Sequence, residues 1–351
     1  MRRFLSLLLV LLLCVPVLPA GAELSLVYPE ETVVSVIRLT KRQRSLAEYL
    51  YAPVLAGKEK IDLPKGTRYD DVGPAMSCLM LDYPELFHLG RTYTITYWQD
   101  KPHEAIAVTP DYRMDAKTAN RLRDQLYAEA LRIIRADSTP VGLHDAVVGR
   151  VTYGGNNDLR HTAVGALLYG TATCEGYAQA LSLLYRLAGI PCGIISGTGV
   201  NSDGVPEGHS WNIAYLDGWT QIDATWCDQE GSGFNTRWYY GLSTAQMSAD
   251  HFPGDDMDVP NCYDRASWHR TTGRYADDRE DVFRALQQLA VYDMPLNLRI
   301  TDAFLYRQIV ADTGALMDAY NEWCPEGSEF YGRYTYLFSD AQRCIIIVRV
   351  E

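Results

Sequence analysis

Between Thr171 and Trp226 the chain reads TATCEGYAQALSLLYRLAGIPCGIISG, then a polar loop, then EGHSWNIAYLDGWTQIDATW. The hydrophobic period changes inside this stretch. From Cys174 to Gly189 the apolar residues Tyr177, Leu181, Leu184 and Leu187 fall on one helical face. After Gly189 the spacing becomes that of strands: IPCGIISG (190–197), HSWNIAYL, and GWTQIDATW, the last two joined across Asp217-Gly218. Consecutive strands joined by so short a turn pair antiparallel. The helix before them must bury its apolar stripe on one face of their sheet, which is an α+β arrangement.

The same stretch holds a thiol, an imidazole and a carboxylate in the order Cys174, His209, Asp223. Cys174 opens the helix, where free backbone N–H groups favour a thiolate, and a neighbouring imidazolium would favour it further. His209 and Asp223 lie on consecutive strands, as a base and its orienting group require. Side-chain parity tests this reading. A two-residue turn at Asp217-Gly218 pairs 212 with 223 and puts His209 and Asp223 on opposite faces. A three-residue loop, 216–218, pairs 211 with 223 and makes the two diagonal neighbours on one face. A working triad therefore predicts an odd-length loop or a bulge here, and not the simple Asp-Gly hairpin. Ser210, one residue on, faces the opposite side and is not a nucleophile. Phosphate-loop, dinucleotide and Gly-x-Ser-x-Gly motifs are all missing from the sequence.

Four runs within this region carry a family resemblance: C-E-G-Y-A at 174–178, G-I-P at 189–191, H-S-W-N at 209–212 and D-A-T-W at 223–226. The sequence resembles the transglutaminase-like core of the papain-like superfamily, as found in bacterial exported proteins, over roughly residues 140–230. His144-Asp145, Val151-Thr152-Tyr153 and the upstream DYPELF (82–87) are similar to segments of such proteins. Ala224 departs from the proline many members carry there. The resemblance implies a helix bearing the cysteine packed on an antiparallel sheet, with Cys174 as nucleophile, His209 as base and Asp223 as its orienter. It implies attack on a carboxamide or peptide carbonyl through a thioester. The backbone N–H of Cys174 is the first oxyanion donor expected, and Tyr153, Asn156 and Asn157 are candidates for a second. Tyr177, Trp211 and Trp226 are candidate substrate contacts, set against the alternative that Trp211, Trp219 and Trp226 serve the packing around the site.

The chain divides into a signal peptide (1–22), an N-terminal α+β region (23–111), the transglutaminase-like catalytic core that the resemblance implies (112–278) and a C-terminal α+β region (279–351). Arg2 and Arg3, the run FLSLLLVLLLCVPVL and Ala20-Gly21-Ala22 are the pattern of a cleaved signal peptide. Export then places the protein outside the cytoplasm, secreted or in the cell envelope, with no membrane span kept after cleavage. Cleavage moves the net charge from −12 to −14, 30 basic residues against 44 acidic. That balance argues against a nucleic-acid partner. Seven cysteines would remain, an odd number that accommodates one free thiol and up to three disulfides among Cys78, Cys192, Cys227, Cys262, Cys324 and Cys344. Cys192 reads better as a small buried residue.

Helices are expected over 40–56, 69–82, 116–135, from Pro140 to about Tyr153, 162–169, 280–290 and 302–322. Paired strands are expected at 91–98 with 104–110, and in the last region at 295–300, YGRYTYLF and CIIIVRV. PELFHLGRTYTITYW and PEGSEFYGRYTYLFS look alike, as an internal repeat would. Residues 227–278 read as irregular and acidic. Asn201, Asp203 and Glu207 resemble part of a calcium loop but lack its other ligands, and DDMD (255–258) near His251 reads as an exposed acidic loop. Neither metal nor cofactor is called for. The expected function is a thiol peptidase or amidase on a peptide or protein, such as a cell-envelope peptide. The alternatives are a transamidase on the same triad, or an inert binding module.

Overall fold

The computed structural model describes residues 29–229 and 234–350; the expected signal segment lies outside them. Helix α1 (Lys41–Leu55) starts at Thr40, whose side chain and that of Gln43 form a reciprocal cap. Helix α2 (Tyr69–Asp82) follows, then a hairpin of β1 (Leu89–Trp98) and β2 (Lys101–Tyr112). Helices α3 (Ala116–Ala136) and α4 (Pro140–Val148) are capped by Asp115 and Thr139. Helix α4 stops short of the expected Tyr153. Gly149 closes it, and Thr152-Tyr153 turns instead into a short parallel pairing with Thr171-Ala172. Helix α5 (Ala163–Tyr169) leads into α6 (Cys174–Leu187), almost wholly buried from Gly176 to Arg186.

Beneath α6 lies a five-stranded antiparallel sheet. Strands β3 (Cys192–Val200), β4 (Pro206–Tyr215) and β5 (Trp219–Ile222) are its centre. Two short strands, β6 (Tyr240–Leu242) beside β5 and β7 (His251–Pro253) beside β3, close its edges. The expected irregular segment 227–278 thus supplies both edges. Three-residue strands are too short to show a period in sequence. Strand β3 also runs three residues beyond its expected end, leaving the polar loop shorter. Within that loop the Asn201 side chain accepts from Asp203 and Val205 N–H at 3.0 Å each, a side-chain-stabilised turn.

The N-terminal elements brace α6. The carbonyls of Met80 and Leu81, in the last turn of α2, accept from the Gln179 amide at 3.1 Å each. The Asp82 carbonyl accepts from Arg186, which also reaches the Cys192 carbonyl at 2.8 Å. Side chains of the cysteine-bearing helix thereby satisfy carbonyls that α2 would leave open. The buried apolar side chains run without a break from Val36 through this interface to Leu242.

The last region has its own core: α7 (Arg279–Tyr292), β8 (Leu296–Ile300), α8 (Ala303–Ala311), α9 (Thr313–Trp323), β9 (Arg333–Ser339) and β10 (Cys344–Val350). The single helix expected over 302–322 is two. Asp312 leaves helical geometry and caps α9 by accepting from the Ala315 N–H at 2.9 Å.

All seven cysteines of the described residues are free thiols, so the arithmetic of three disulfides is not realised. Cys78, Cys192, Cys227, Cys262 and Cys344 are buried. Local acceptors take several of them: Asp82 accepts from Cys78 at 3.2 Å, and the Pro260 carbonyl from Cys262 at 3.2 Å. Among the described residues no helix is long and apolar enough to cross a membrane.

Candidate active site

Cys174 is the first residue of α6 and is partly exposed. Thr173 precedes it but does not cap the helix. Its hydroxyl pairs with His161 Nδ1 at 2.8 Å. The first-turn N–H groups are therefore left without a side-chain cap from Thr173. Gly176 lets the chain at 160–162 approach, since a Cβ there would lie 2.5 Å from the Arg160 carbonyl oxygen.

Tyr215 pairs with Trp219 across β4 and β5, enclosing a three-residue loop, 216–218, with Gly218 at φ +92. This is the odd loop that parity requires. His209 Nε2 lies 2.8 Å from Asp223 Oδ2, and the two side chains are 3% and 1% exposed. The ring also interacts with the Cys174 thiol, which helps to raise its pKa. Asp223 is not within a strand as expected. It stands just past β5 and caps a one-turn helix, 224–227, accepting from Thr225 and Trp226 N–H at 2.8 and 3.2 Å through Oδ1. One carboxylate oxygen is thus fixed by backbone and the other by imidazole.

Burial would push the His209 pKa down. The charge of Asp223, the hydrogen bond to it and the interaction with Cys174 outweigh it and carry it up to about 10. Burial opposes ionisation of Asp223 too, but His209 and a second histidine, His251, hold its carboxyl well below the usual range.

Of the candidate substrate contacts, Tyr177 and Trp211 are corrected by their burial, 0% and 1% exposed. Tyr177 donates its hydroxyl inward to the Val151 carbonyl at 2.8 Å, and Trp211 donates its ring N–H to Gln221 at 2.8 Å. Both pack beneath the site. Trp226 is half-buried, its ring 4.9 Å from that of His209. Asn157 is occupied as a turn residue, donating to Thr171 and accepting from the Leu159 N–H. Tyr153 is 46% exposed, and the desolvation of its covered part, followed by the charge of Cys174, raises its pKa.

Glu175, beside the nucleophile, pairs with Arg91 of β1, and burial raises its pKa against the pull of Arg91 and Arg113. A cavity of about 400 Å³ opens there between the N-terminal hairpin and α6. Ser210 lines it, on the face of β4 opposite His209.

Motif and spacing alone do not single out His251. Its Nε2 lies 3.1 Å from Asp223 Oδ2, and its Nδ1 lies 2.6 Å from Asp250 Oδ1. The ligand-type atoms of His209, Asp223 and His251 lie within 4.8 Å of one another, a spacing that would also suit a cation. Each of these residues is engaged in the hydrogen-bond chain just described. The one signal in the sequence is Gly197-Thr198-Gly199, since glycines inside a strand mark a close approach by something else. His209 pairs with Gly197 on one side of β3, and His251 with Gly199 on the other. The two rings meet across this strand with centroids 5.2 Å apart.

Residues 136–224 match the transglutaminase-like superfamily, a span that takes in Cys174, His209 and Asp223. This part of the chain is a transglutaminase-like core, an α+β unit with the cysteine-bearing helix packed on an antiparallel sheet. Kyphoscoliosis peptidase from Homo sapiens is 33% identical over 96 residues, 23% of this chain and 14% of that protein. The chain thus spans about a seventh of the length of this curated relative. Among solved structures, the periplasmic domain of TgpA from Pseudomonas aeruginosa aligns at 20% identity over 35% of this chain and 55% of that one, with a TM-score of 0.24. A TGase aligns at 15% identity over 39% and 45%, with a TM-score of 0.27.

Proposed function

We propose that the chain is a thiol-dependent acyl-transfer enzyme acting on peptide or glutamine-type amides, with hydrolysis as its main outcome. The observation that carries this reading is the buried His209 ring held 2.8 Å from the buried Asp223, with the thiol of Cys174 at the start of α6 among the groups that raise its pKa. Asp223 fixes Nε2 as the protonated nitrogen, which leaves Nδ1 to exchange a proton with the thiol. The imidazolium and the uncapped start of α6 together stabilise a thiolate. Cys174 Sγ attacks the amide carbon, and the oxyanion meets the Cys174 backbone N–H, with the Tyr153 hydroxyl as second donor. His209 then returns its proton to the leaving amine as the C–N bond breaks, giving a thioester. Water, activated by the same ring, attacks the thioester and releases the acid. Water is favoured as acceptor because it is abundant and no amine-binding channel is marked in the sequence. An exported location and a cell-envelope peptide substrate belong to the same proposal.

The test is the rate of iodoacetamide labelling at Cys174 against pH, in the protein and in His209→Ala, followed by assay on a peptide library with and without a fluorescent primary amine. Labelling that persists well below pH 8 and vanishes in His209→Ala supports the thiolate–imidazolium pair. New amino termini support hydrolysis, whereas amine incorporation supports the transamidase alternative. A Cys174 that labels like an ordinary thiol of pKa about 8.5 refutes the enzyme reading and leaves the binding-module alternative.

A further inference from the structure

Beside His209, on the same oxygen of Asp223, lies a second histidine–aspartate pair. The side chains of His251 and Asp250 are 0% and 6% exposed. Both ring nitrogens of His251 face carboxylates, Nε2 toward Asp223 Oδ2 at 3.1 Å and Nδ1 toward Asp250 Oδ1 at 2.6 Å. A neutral imidazole carries one N–H and one lone pair, so one of these contacts would set a lone pair against a carboxylate oxygen. With both nitrogens protonated, both contacts become charge-assisted hydrogen bonds. Asp250 is completed by the Tyr239 hydroxyl, which donates to its Oδ2 at 2.6 Å. The chain then alternates in charge: thiolate, His209 imidazolium, Asp223, His251 imidazolium, Asp250.

We propose that His251 is a positioning residue of this site, an imidazolium clamped between Asp223 and Asp250. It holds Asp223 Oδ2 on His209 and offsets part of that carboxylate's pull on the His209 ring. This rests on the acyl-transfer reading for its consequence, though not for its geometry. A carboxylate with a single imidazole partner could turn about its Cβ–Cγ bond. Asp223 cannot, because two backbone N–H groups hold Oδ1 and two rings share Oδ2. The titratable groups that face His251 are Asp223, Asp250, His209 and Tyr239, and the shallow pocket it borders adds Arg38 and Asp255. Trp226 and Trp211 cover the ring, with centroids at 4.3 and 5.0 Å, and keep water from it. The two carboxylates raise the pKa of His251 against the burial that would lower it.

Two readouts test this in the full chain. The first is the 15N and one-bond N–H signature of His251 at pH 7, assigned by its loss in His251→Gln. The ring should carry a proton on both nitrogens, and Asp250→Asn should reduce it to one. The second is the pH profile of Cys174 alkylation. His251→Gln, which removes the imidazolium that shares Asp223 Oδ2 with His209, should lower the rate at pH 5.5 by about tenfold. Asp250→Asn, which removes the charge while keeping a donor on Asp223, should carry the upper, His209-dependent step about one pH unit higher. A singly protonated His251 in the wild-type protein overturns the proposal, as does an alkylation profile that neither variant moves. If His251→Gln fails to fold, the wild-type signature, assigned instead by its change in Asp250→Asn, and the Asp250→Asn profile decide. Wild-type alkylation that does not depend on His209 sinks the acyl-transfer reading instead, and the protonation state of His251 still answers separately.

Discussion

A methyl group added to Gly199 would sit 2.9 Å from the Trp226 ring and 3.2 Å from Cγ of His209. Neither ring can give way easily, because Trp226 also packs on His251 and Tyr239, and His209 is held by Asp223. Gly199→Ala should therefore cost about 1–3 kcal/mol through overpacking and turn the His209 ring off Cys174. A lower melting temperature, with low-pH alkylation of Cys174 reduced at least tenfold, is the expected pair of results. Stability and labelling both at wild-type values would count against this packing role. At this scale the sequence exposed the thiol, the imidazole and the carboxylate, since each sits in a motif of its own. Asp250 and His251 were hidden because no motif surrounds them, and His251 stands 28 positions from Asp223, on a strand with no visible period. Tyr177 and Trp211 were misplaced as substrate contacts because an aromatic side chain reads the same whether it lines a pocket or fills a core.

The hairpin of β4 and β5 makes a sharper claim at the scale of elements. Its loop, Leu216-Asp217-Gly218, sets the register that puts His209 and Asp223 on one face. Deleting Asp217 leaves two residues, the length of the commonest hairpin turns, and pairs 212 with what is now the opposite parity of β5. The deletion variant should lose His209-dependent labelling of Cys174, while reinsertion of any single residue there restores part of it. Retained labelling would show that a bulge elsewhere absorbs the slip. Parity made this loop length legible in the sequence alone, because strand side chains alternate with a period of two. Where α4 ends was not legible. Its apolar pattern runs on past Gly149, and only the pairing of Thr152-Tyr153 with Thr171-Ala172 explains why the helix yields there.

Across the whole molecule, the buried histidines divide into two groups with opposite pH behaviour. Burial lowers His88 to about 4 and His269 to about 3, and lowers His144 as well. Below the ordinary histidine value of about 6.5, the unfolded chain takes protons that the folded one refuses, so their contribution is complete above that value and is lost as pH falls. His209 and His251 are raised, so their contribution is complete below about 6.5 and is lost as pH rises, for His209 through its folded value of about 10. Thermal stability should therefore peak between about pH 6 and 7 and fall on both sides. His269 alone should cost about 2 kcal/mol between pH 7 and 5, and His269→Gln should flatten the acid limb in a series of melting curves. An unchanged acid limb in that variant would remove His269 from the account. The continuous core from Val36 to Leu242, with Gln179 and Arg186 tying α2 to α6, makes the N-terminal elements part of the same packed unit as the site.

The sequence by itself determined what lies near in the chain: which residues open α6, that three strands follow it, and which loop parity the triad needs. These follow from backbone propensity and side-chain period, which act over a few residues. Only the tertiary structure decided what meets across β3, where two glycines let His209 and His251 reach each other from flanking strands. It alone placed Asp223 at a helix start with both oxygens filled, left the cysteines unpaired, and buried Tyr177 and Trp211. Those outcomes depend on pairings between segments distant in the chain, which packing selects and local sequence does not encode.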